Sequence, residues 1–234
     1  MRIFLIIIFS FFSPSINAQV DFIQGGGTLD DWANLSKYKE QNQKLIQNPV
    51  DNLVVFIGNS ITEDWSVYNP SFFQNNPFIN RGIGGQTTPQ ILIRFKPDVI
   101  NLNPIAVVIL AGINDIAGNT GAMEISNIAE NIFSMAEIAK EYNIQVYICS
   151  VLPAKDFPWS PNIKPADKII KLNKMLKQYC LEKEIHYVDY YSLMEDGEGG
   201  LKVPEFTSAN DLVHPNTEGS VSYTHLRAHE TADN

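Results

Sequence analysis

The sequence has few cysteines, few basic side chains and few long apolar runs. Its only cysteines are Cys149 and Cys180, and no group of cysteine and histidine residues has the spacing of a zinc site. Cys149 falls in an apolar segment typical of a strand, and Cys180 near the end of a helix-like one. We therefore predict two buried free thiols, although an exported protein could also form a disulfide between them. We expect neither a metal nor a cofactor.

Basic side chains are outnumbered, with 17 lysines and arginines against 26 aspartates and glutamates and a net charge of -9. A protein that binds nucleic acid needs a basic surface that displaces counterions from the phosphate backbone. The acidic balance therefore argues against nucleic acid as a partner. The hydrophobic fraction of 44% is sufficient for the core of one α/β domain.

The longest apolar run lies at the N-terminus. Arg2 precedes the apolar residues 3–12, residues 13–15 break the run, and Ala18 is a small residue suited to cleavage. This order is typical of a secretory signal peptide, which we place at residues 1–18. The run is too short to cross a bilayer. We therefore expect an exported protein, periplasmic or extracellular, without stable membrane insertion after cleavage; a retained membrane anchor is the alternative.

Short apolar segments that alternate with amphipathic ones predict a parallel sheet with helices on both faces. The five predicted strands are residues 53–57, 78–80, 105–110, 145–151 and 185–188. We find no internal repeat and no linker that would divide the chain, so a single domain is expected over residues 28–220.

Local signals predict where some helices begin and end. Thr28 and Asp31 have the spacing of a capping box, which predicts a helix start. Thr88 is predicted as the N-cap of a helix that has Pro89 in its first turn, and Pro97 is expected to interrupt that helix. The loop at residues 152–161 contains three prolines and is expected to be long and stiff.

Polar residues and glycine follow three of the predicted strands. Ser60 follows the first strand, Gly85 the second and Asn114 the third, and the carboxyl ends of parallel strands meet at one edge of a sheet. Asp211 precedes His214 by three residues, so its carboxylate can hold one imidazole nitrogen and leave the other as a base. The set has the nucleophile, base and orienting acid of a serine hydrolase, with amides that could stabilise an oxyanion.

These residues lie in motifs that resemble those of the SGNH, or GDSL-type, hydrolases. Residues 58–60 are Gly-Asn-Ser, where the family usually has Gly-Asp-Ser; residues 85–87 are Gly-Gln-Thr; residues 112–115 are Gly-Ile-Asn-Asp; and residues 211–215 are Asp-Leu-Val-His-Pro. The resemblance extends over about residues 28–219 and is nearest to exported bacterial acyl- or acetylhydrolases.

The resemblance implies a role for each residue. Ser60 would be the nucleophile, His214 the base and Asp211 its orienting acid. The oxyanion donors would be Ser60, Gly85 and Asn114. The asparagine that replaces the usual aspartate before Ser60 has no proton to transfer in this scheme, so we expect activity to survive the replacement.

We therefore predict a flavodoxin-like three-layer α/β/α sandwich, the SGNH hydrolase fold, with a mostly parallel five-stranded sheet. The expected reaction is ester hydrolysis through an acyl-serine, and the expected substrate is an O-acetylated carbohydrate or another small ester. Trp65, Tyr68 and Trp159 could stack on sugar rings near the site, or else pack in the core. A lysophospholipase or thioesterase that acts on longer acyl chains is one alternative, and a non-catalytic carbohydrate-binding protein on the same fold is another.

The last residues, 221–234, depart from the family pattern. The resemblance implies a closing amphipathic helix after His214, but residues 221–231 have two large aliphatic side chains, Val221 and Leu226. That number is too small for the apolar stripe of an ordinary helix. The segment instead resembles a translated sequencing adapter, and we expect it to be a non-native tail.

Overall fold

The computed structural model describes residues 25–220, which form an all-parallel sheet between helices on both of its faces. The predicted three-layer α/β fold is confirmed. The predicted signal peptide and the predicted non-native tail lie outside the described residues. Within residues 25–220, no helix combines the length and the apolar character needed to cross a bilayer.

The sheet has five strands in the order β2-β1-β3-β4-β5, and every neighbouring pair is parallel. The strands are β1 Val54–Gly58, β2 Phe78–Gly82, β3 Ala106–Leu110, β4 Gln145–Cys149 and β5 His186–Val188. β1 and β3 are buried along their whole length, as expected for parallel strands that are covered on both faces. Their carboxyl ends, Gly58 and Leu110, are register partners and so lie side by side.

Besides a helical segment that begins at Thr217, residues 25–220 contain eight complete α-helices and one 3₁₀ turn. They are α1 Lys39–Gln47, α2 Ser60–Tyr68, α3 Pro70–Gln74, α4 Thr88–Asp98, the 3₁₀ turn Ile100–Leu102, α5 Ile113–Ile116, α6 Ile125–Glu141, α7 Ala166–Lys183 and α8 Tyr190–Met194. The contacts of α4 with α6 and of α6 with α7 place these three helices in one layer.

The predicted helix start at Thr28 is wrong. Thr28 Oγ1 does accept a hydrogen bond from the Asp31 N–H at 3.1 Å, but the chain then makes a series of turns, and α1 begins at Lys39. The Asp31 carboxylate accepts the N–H groups of Leu35 and Ser36 at 2.7 and 2.9 Å. An aspartate that bonds to nearby backbone in this way competes with helix formation.

The start of α4 is displaced by one residue from its predicted position. The N-cap is Thr87, whose N–H donates to the side chain of Gln90 at 3.0 Å in a capping box. Thr88 is instead the first helical residue, because its side chain and N–H are bound to Asp115. Pro97 lies in the last turn of α4, which ends one residue later at Asp98, so the proline does not break the helix in its interior.

Candidate active site

The N-terminus of α2 places Ser60 at the carboxyl edge of the sheet. Asn59 is the N-cap of α2, and its Oδ1 accepts the Ile61 N–H at 3.0 Å. The side chain thus keeps a capping role that an aspartate could also fill. Ser60 is the first residue of the helix, so its N–H has no acceptor within the helix. This N–H lies at the N-terminal, positive end of the helix dipole.

Two glycines allow α2 to approach the strand ends closely. A Cβ atom on Gly58 would collide with the Thr62 side chain and the Leu110 carbonyl oxygen. A Cβ atom on Gly82 would collide with the backbone of Glu63. The absence of side chains at these positions therefore sets how near Ser60 lies to the ends of β2 and β3.

The structure brings Ser60, His214 and Asp211 into one hydrogen-bonded chain, although Ser60 and His214 are 154 residues apart. Ser60 Oγ lies 2.8 Å from His214 Nε2. His214 Nδ1 lies 2.9 Å from Asp211 Oδ1 and 3.1 Å from Asp211 Oδ2. This geometry fixes the imidazole so that Nδ1 donates to the carboxylate and Nε2 can accept the serine proton.

The local backbone keeps Asp211 ionised. Partial burial of Asp211 would raise its pKa, but the backbone N–H and the charge of His214, followed by the Val213 N–H, outweigh burial, and the net shift of the pKa is downwards. The backbone N–H groups of His214 and Val213 donate to Oδ1 at 2.9 and 3.2 Å. The Asp211 carboxylate is therefore available to stabilise a positive charge on His214.

The glycine loop after β2 lies against Ser60. A Cβ atom built on Gly84 would be 3.7 Å from Ser60 Cβ. Glu63 Oε2 accepts the Gly84 N–H at 2.6 Å, and the Gly85 carbonyl accepts Asn119 Nδ2 at 3.0 Å. Gly85 has a φ of +78°, a left-handed conformation that favours glycine. These bonds hold the loop in a single orientation beside the serine.

Asn114 joins the end of β3 to the same loop. Its Nδ2 donates to the Gln86 carbonyl at 3.0 Å, and the residue is only 5% exposed. A side-chain amide has two N–H groups, so one remains for a ligand. The structure therefore gathers Ser60, Gly85 and Asn114 around one edge of the sheet, as the sequence predicted.

Asp115 links this edge to the start of α4. Its carboxylate accepts the Thr88 N–H at 2.9 and 3.0 Å and the Thr88 hydroxyl at 2.6 Å. Burial is the largest influence on this group and raises the pKa of Asp115 from 3.8 to about 6, although the bonds from Thr88 oppose the increase. Apart from its place in the Gly-Ile-Asn-Asp motif, no sequence pattern indicates that this carboxyl is buried.

We expect the titration of Asp115 to change the stability of the fold between pH 4 and 6. Because the folded state holds this proton more tightly than the unfolded state, the stabilising contribution is complete below pH 3.8 and is lost as the pH rises through about 6. The size of the effect is on the order of 3 kcal/mol. Asp115→Asn should remove this dependence. The measurement is the difference in unfolding free energy between the two proteins at pH 4 and pH 7; a difference that does not vary with pH would contradict the assignment.

Trp159 is the predicted aromatic residue that the structure places at this site. Its ring centroid lies 6.3 Å from that of His214, and 45% of the residue is exposed. The ring stacks at 5.1 Å on Phe157, which is fully buried. Trp65, in contrast, is a core residue at 4% exposure that packs against Phe56, so of the two alternatives for this residue the core packing is the one observed. Tyr68 is exposed at the far end of α2.

Glu63 and Asp64 give the site an acidic border that sequence reasoning missed. Both follow Ser60 by about one helical turn, a spacing that places them on the same side of α2. Glu63 forms an ion pair with Lys37. Asp64 lies close enough to His214 and Asp211 for their charges to influence its pKa, which His214 lowers and Asp211 raises. Partial burial is the largest effect on Asp64 and raises its pKa. Their spacing from the serine was the signal that could have identified them.

Comparison with known proteins finds matches that extend over most of the chain. The sequence profile of the GDSL-like lipase/acylhydrolase family matches residues 56–220. A Bacteroides fragilis protein, described as a candidate acylhydrolase, is 46% identical with a TM-score of 0.82, and the match covers 87% of this chain and 98% of that one. A GDSL-like lipase from Bacteroides thetaiotaomicron is 45% identical with a TM-score of 0.79, covering 86% and 98% of the two chains.

A more distant match shares the fold. An acetyl xylan esterase from Geobacillus stearothermophilus is 19% identical with a TM-score of 0.63, and the match covers 77% of this chain and 94% of that one. The search of curated proteins found no match.

Proposed function

The chain belongs to the GDSL-like lipase/acylhydrolase family, and we propose that it removes acetyl or other short acyl groups from a carbohydrate or another small ester through an acyl-serine intermediate. It is a carboxylic ester hydrolase. The observation that carries the proposal is the chain of hydrogen bonds from Ser60 through His214 to Asp211.

In the proposed first step, Ser60 Oγ attacks the carbonyl carbon of the ester while His214 Nε2 takes the serine proton. The imidazolium that forms is held by the Asp211 carboxylate at its Nδ1 side. The proton then passes from Nε2 to the oxygen of the leaving alcohol, and the acyl group stays on Ser60. In the second step, water gives a proton to His214 Nε2 and attacks the carbonyl carbon of the acyl-serine. The bond from that carbon to Ser60 Oγ then breaks, Nε2 returns the proton to Oγ, and the acid is released.

Both steps place a negative charge on the former carbonyl oxygen. We assign its stabilisation to the N–H groups of Ser60 and Gly85 and to the free N–H of Asn114. Donors that are already in place cost no reorganisation when the charge develops. Two hydrogen bonds support this assignment, from the Gly84 N–H to Glu63 and from Asn114 Nδ2 to the Gln86 carbonyl, because they hold the loop and the amide before any substrate arrives.

A neutral substrate fits the charges around Ser60 best. Glu63 is paired with Lys37, so in the acidic border it is the charge of Asp64 that repels phosphate, which lysophospholipids and coenzyme A thioesters carry. The exposed face of Trp159 offers a stacking surface that is anchored on buried Phe157. An acetyl xylan esterase has the same fold, so that fold is compatible with this substrate class. Export would expose the enzyme to such carbohydrates and is part of the proposal.

An ester panel tests the proposal. We expect kcat/KM to be highest for 4-nitrophenyl acetate and to fall steadily through the butyrate to the octanoate, and we expect acetate release from acetylated xylan. At low salt, uncharged 4-acetoxybenzamide should be cleaved roughly three- to tenfold faster than anionic 4-acetoxybenzoate. Asp64→Asn should reduce that difference, whereas Asp51→Asn, an exposed acid on the loop before β1, is the matched control.

Two outcomes would contradict the substrate assignment. Rates on the octanoate above those on the acetate would favour the alternative of a lysophospholipase or thioesterase with longer acyl chains. Equal rates on the charged and uncharged acetates, unchanged by Asp64→Asn, would show that the acidic border has no influence on the choice of substrate.

A further inference from the structure

Arg94 lies in α4 as a fully buried charged side chain with 0% exposure. Its guanidinium donates to three separate acceptors: Nε to Gln86 Oε1 at 2.5 Å, Nη2 to the Gly58 carbonyl at 2.8 Å and Nη1 to Asp98 Oδ2 at 2.9 Å. A buried charge without partners costs several kcal/mol, and the guanidinium is a rigid planar fork. The side chain therefore holds its acceptors at fixed positions relative to one another.

The bond to Gly58 connects Arg94 to the nucleophile. Gly58 is the last residue of β1 and precedes Ser60 by two positions. Its carbonyl also accepts the Ile83 N–H from the glycine loop at 3.2 Å. Arg94 thus fixes the strand end from which the Ser60 N–H projects.

The bond to Gln86 connects Arg94 to the other two donors. Gln86 is fully buried, and its side chain is held between Arg94 and the Ala33 carbonyl, to which Nε2 donates at 2.8 Å. Gln86 directly follows Gly85, and its own backbone carbonyl accepts Asn114 Nδ2. The orientation of Gln86 therefore determines where the glycine loop and the Asn114 amide lie.

We propose that Arg94 is a positioning residue that sets the relative placement of the three oxyanion donors, Ser60, Gly85 and Asn114. The inference rests on the proposed function, because it assigns a role within that reaction. Arg94 does not touch the substrate; it acts through Gly58 and Gln86. Lysine cannot take its place, because an ammonium group presents all of its donors from one nitrogen.

Arg81 provides a matched control within the same polar cluster. It is also an arginine with 2% exposure, and Asn42 connects the two groups by accepting from Arg81 Nε at 3.0 Å and donating to Asp98 Oδ1 at 2.7 Å. The other bonds of Arg81 go to the Asn80 carbonyl and the Gln41 side chain. Arg81 thus shares the burial and charge of Arg94 but not its bonds to Gly58 and Gln86.

The test is a double-mutant cycle with Asn114→Ala. Activity is measured on 4-nitrophenyl acetate for Arg94→Lys and Arg81→Lys, each in the wild-type and the Asn114→Ala background, with the rate of Ser60→Ala subtracted. We expect Arg94→Lys to lower kcat by roughly 10- to 100-fold with little change in KM, as a small misplacement of catalytic groups does. We expect Arg81→Lys to lower kcat by less than about threefold. In the Asn114→Ala background, we expect the loss of kcat from Arg94→Lys to be at least about threefold smaller than in the wild type, because only the Ser60 and Gly85 donors then remain to be misplaced.

The cycle separates the proposal from a purely structural role. An equal loss from Arg94→Lys in both backgrounds would overturn it, and so would a loss of the same size from Arg81→Lys. If Arg94→Lys does not fold, Gln86→Met removes the Nε acceptor while keeping the backbone carbonyl for Asn114, and the same pattern is expected. A wild-type protein that cleaves no ester would overturn the proposed function and this role together, whereas an active wild type with independent losses would overturn this role alone.

Discussion

Replacing Ser60 by alanine is expected to lower kcat for ester hydrolysis by roughly 10⁴- to 10⁶-fold, the loss seen when a serine hydrolase loses its nucleophile. The reason is that Ser60 Oγ, 2.8 Å from His214 Nε2, is the oxygen that we assign to bond formation with the acyl carbon. The measurement is turnover of 4-nitrophenyl acetate under substrate saturation, with circular dichroism as a check on folding.

Ser66→Ala is the matched control for this change. Ser66 lies on the same helix and is partly buried, but its hydroxyl donates to the Glu63 carbonyl at 2.9 Å within the helix. We expect its replacement to change kcat by less than about twofold, as for surface substitutions away from a site. If Ser60→Ala kept the turnover of Ser66→Ala, the acyl-serine mechanism would be wrong.

The second large effect is expected from Asn114→Ala. Loss of one oxyanion donor lowers kcat by about 10²- to 10³-fold in enzymes that use such donors. KM should change much less, because the bond forms mainly as the charge develops. The measurement is kcat and KM on the acetate ester for which wild-type activity is highest.

Asn131→Ala separates catalysis from the loss of a side-chain amide bond. Asn131 Nδ2 also donates hydrogen bonds, to Thr88 Oγ1 at 2.9 Å at the start of α4 and to Met123 Sδ at 3.9 Å. We expect this variant to keep kcat within about threefold of wild type, since it lacks a contact with the reacting atoms. A loss from Asn131→Ala as large as that from Asn114→Ala would mean that the amide at residue 114 supports the fold rather than the oxyanion.

Sequence patterns were sufficient for the sheet and for the residues at its edge. Strands such as β1 and β3 are buried on both faces, so nearly every residue in them is apolar and the strands can be recognised from the sequence. The parallel order then places Ser60 and Asn114 at one edge without further information. The pairing of Asp211 with His214 was predictable because it is local.

Features that depend on which competing hydrogen bonds form, near or far along the chain, were not predictable in the same way. The residues around Thr28 have the pattern of a helix start, but the Asp31 carboxylate accepts the N–H groups of Leu35 and Ser36, and turns form there instead of a helix. Thr88 has the composition of an N-cap, but Asp115, 27 residues away, binds its N–H and hydroxyl.

Arg94 shows the same limit most clearly. A lone arginine in an amphipathic helix usually lies on a solvated face, and nothing within α4 distinguishes this one. Its acceptors on Gly58 and Gln86 come from two other segments and meet only in the folded chain. The role that we propose for Arg94 could therefore be found only from the structure.

Covalent trapping tests the central claim, that Ser60 is the acylated nucleophile, most directly. The wild-type protein is treated with diethyl 4-nitrophenyl phosphate, which transfers its phosphoryl group to an activated serine with release of 4-nitrophenol, and the adduct is located by peptide mass spectrometry. We expect one adduct per chain on the peptide that contains Ser60, parallel loss of esterase activity, and no adduct in Ser60→Ala. Inactivation without modification of Ser60, or an equal adduct in Ser60→Ala, would contradict the account.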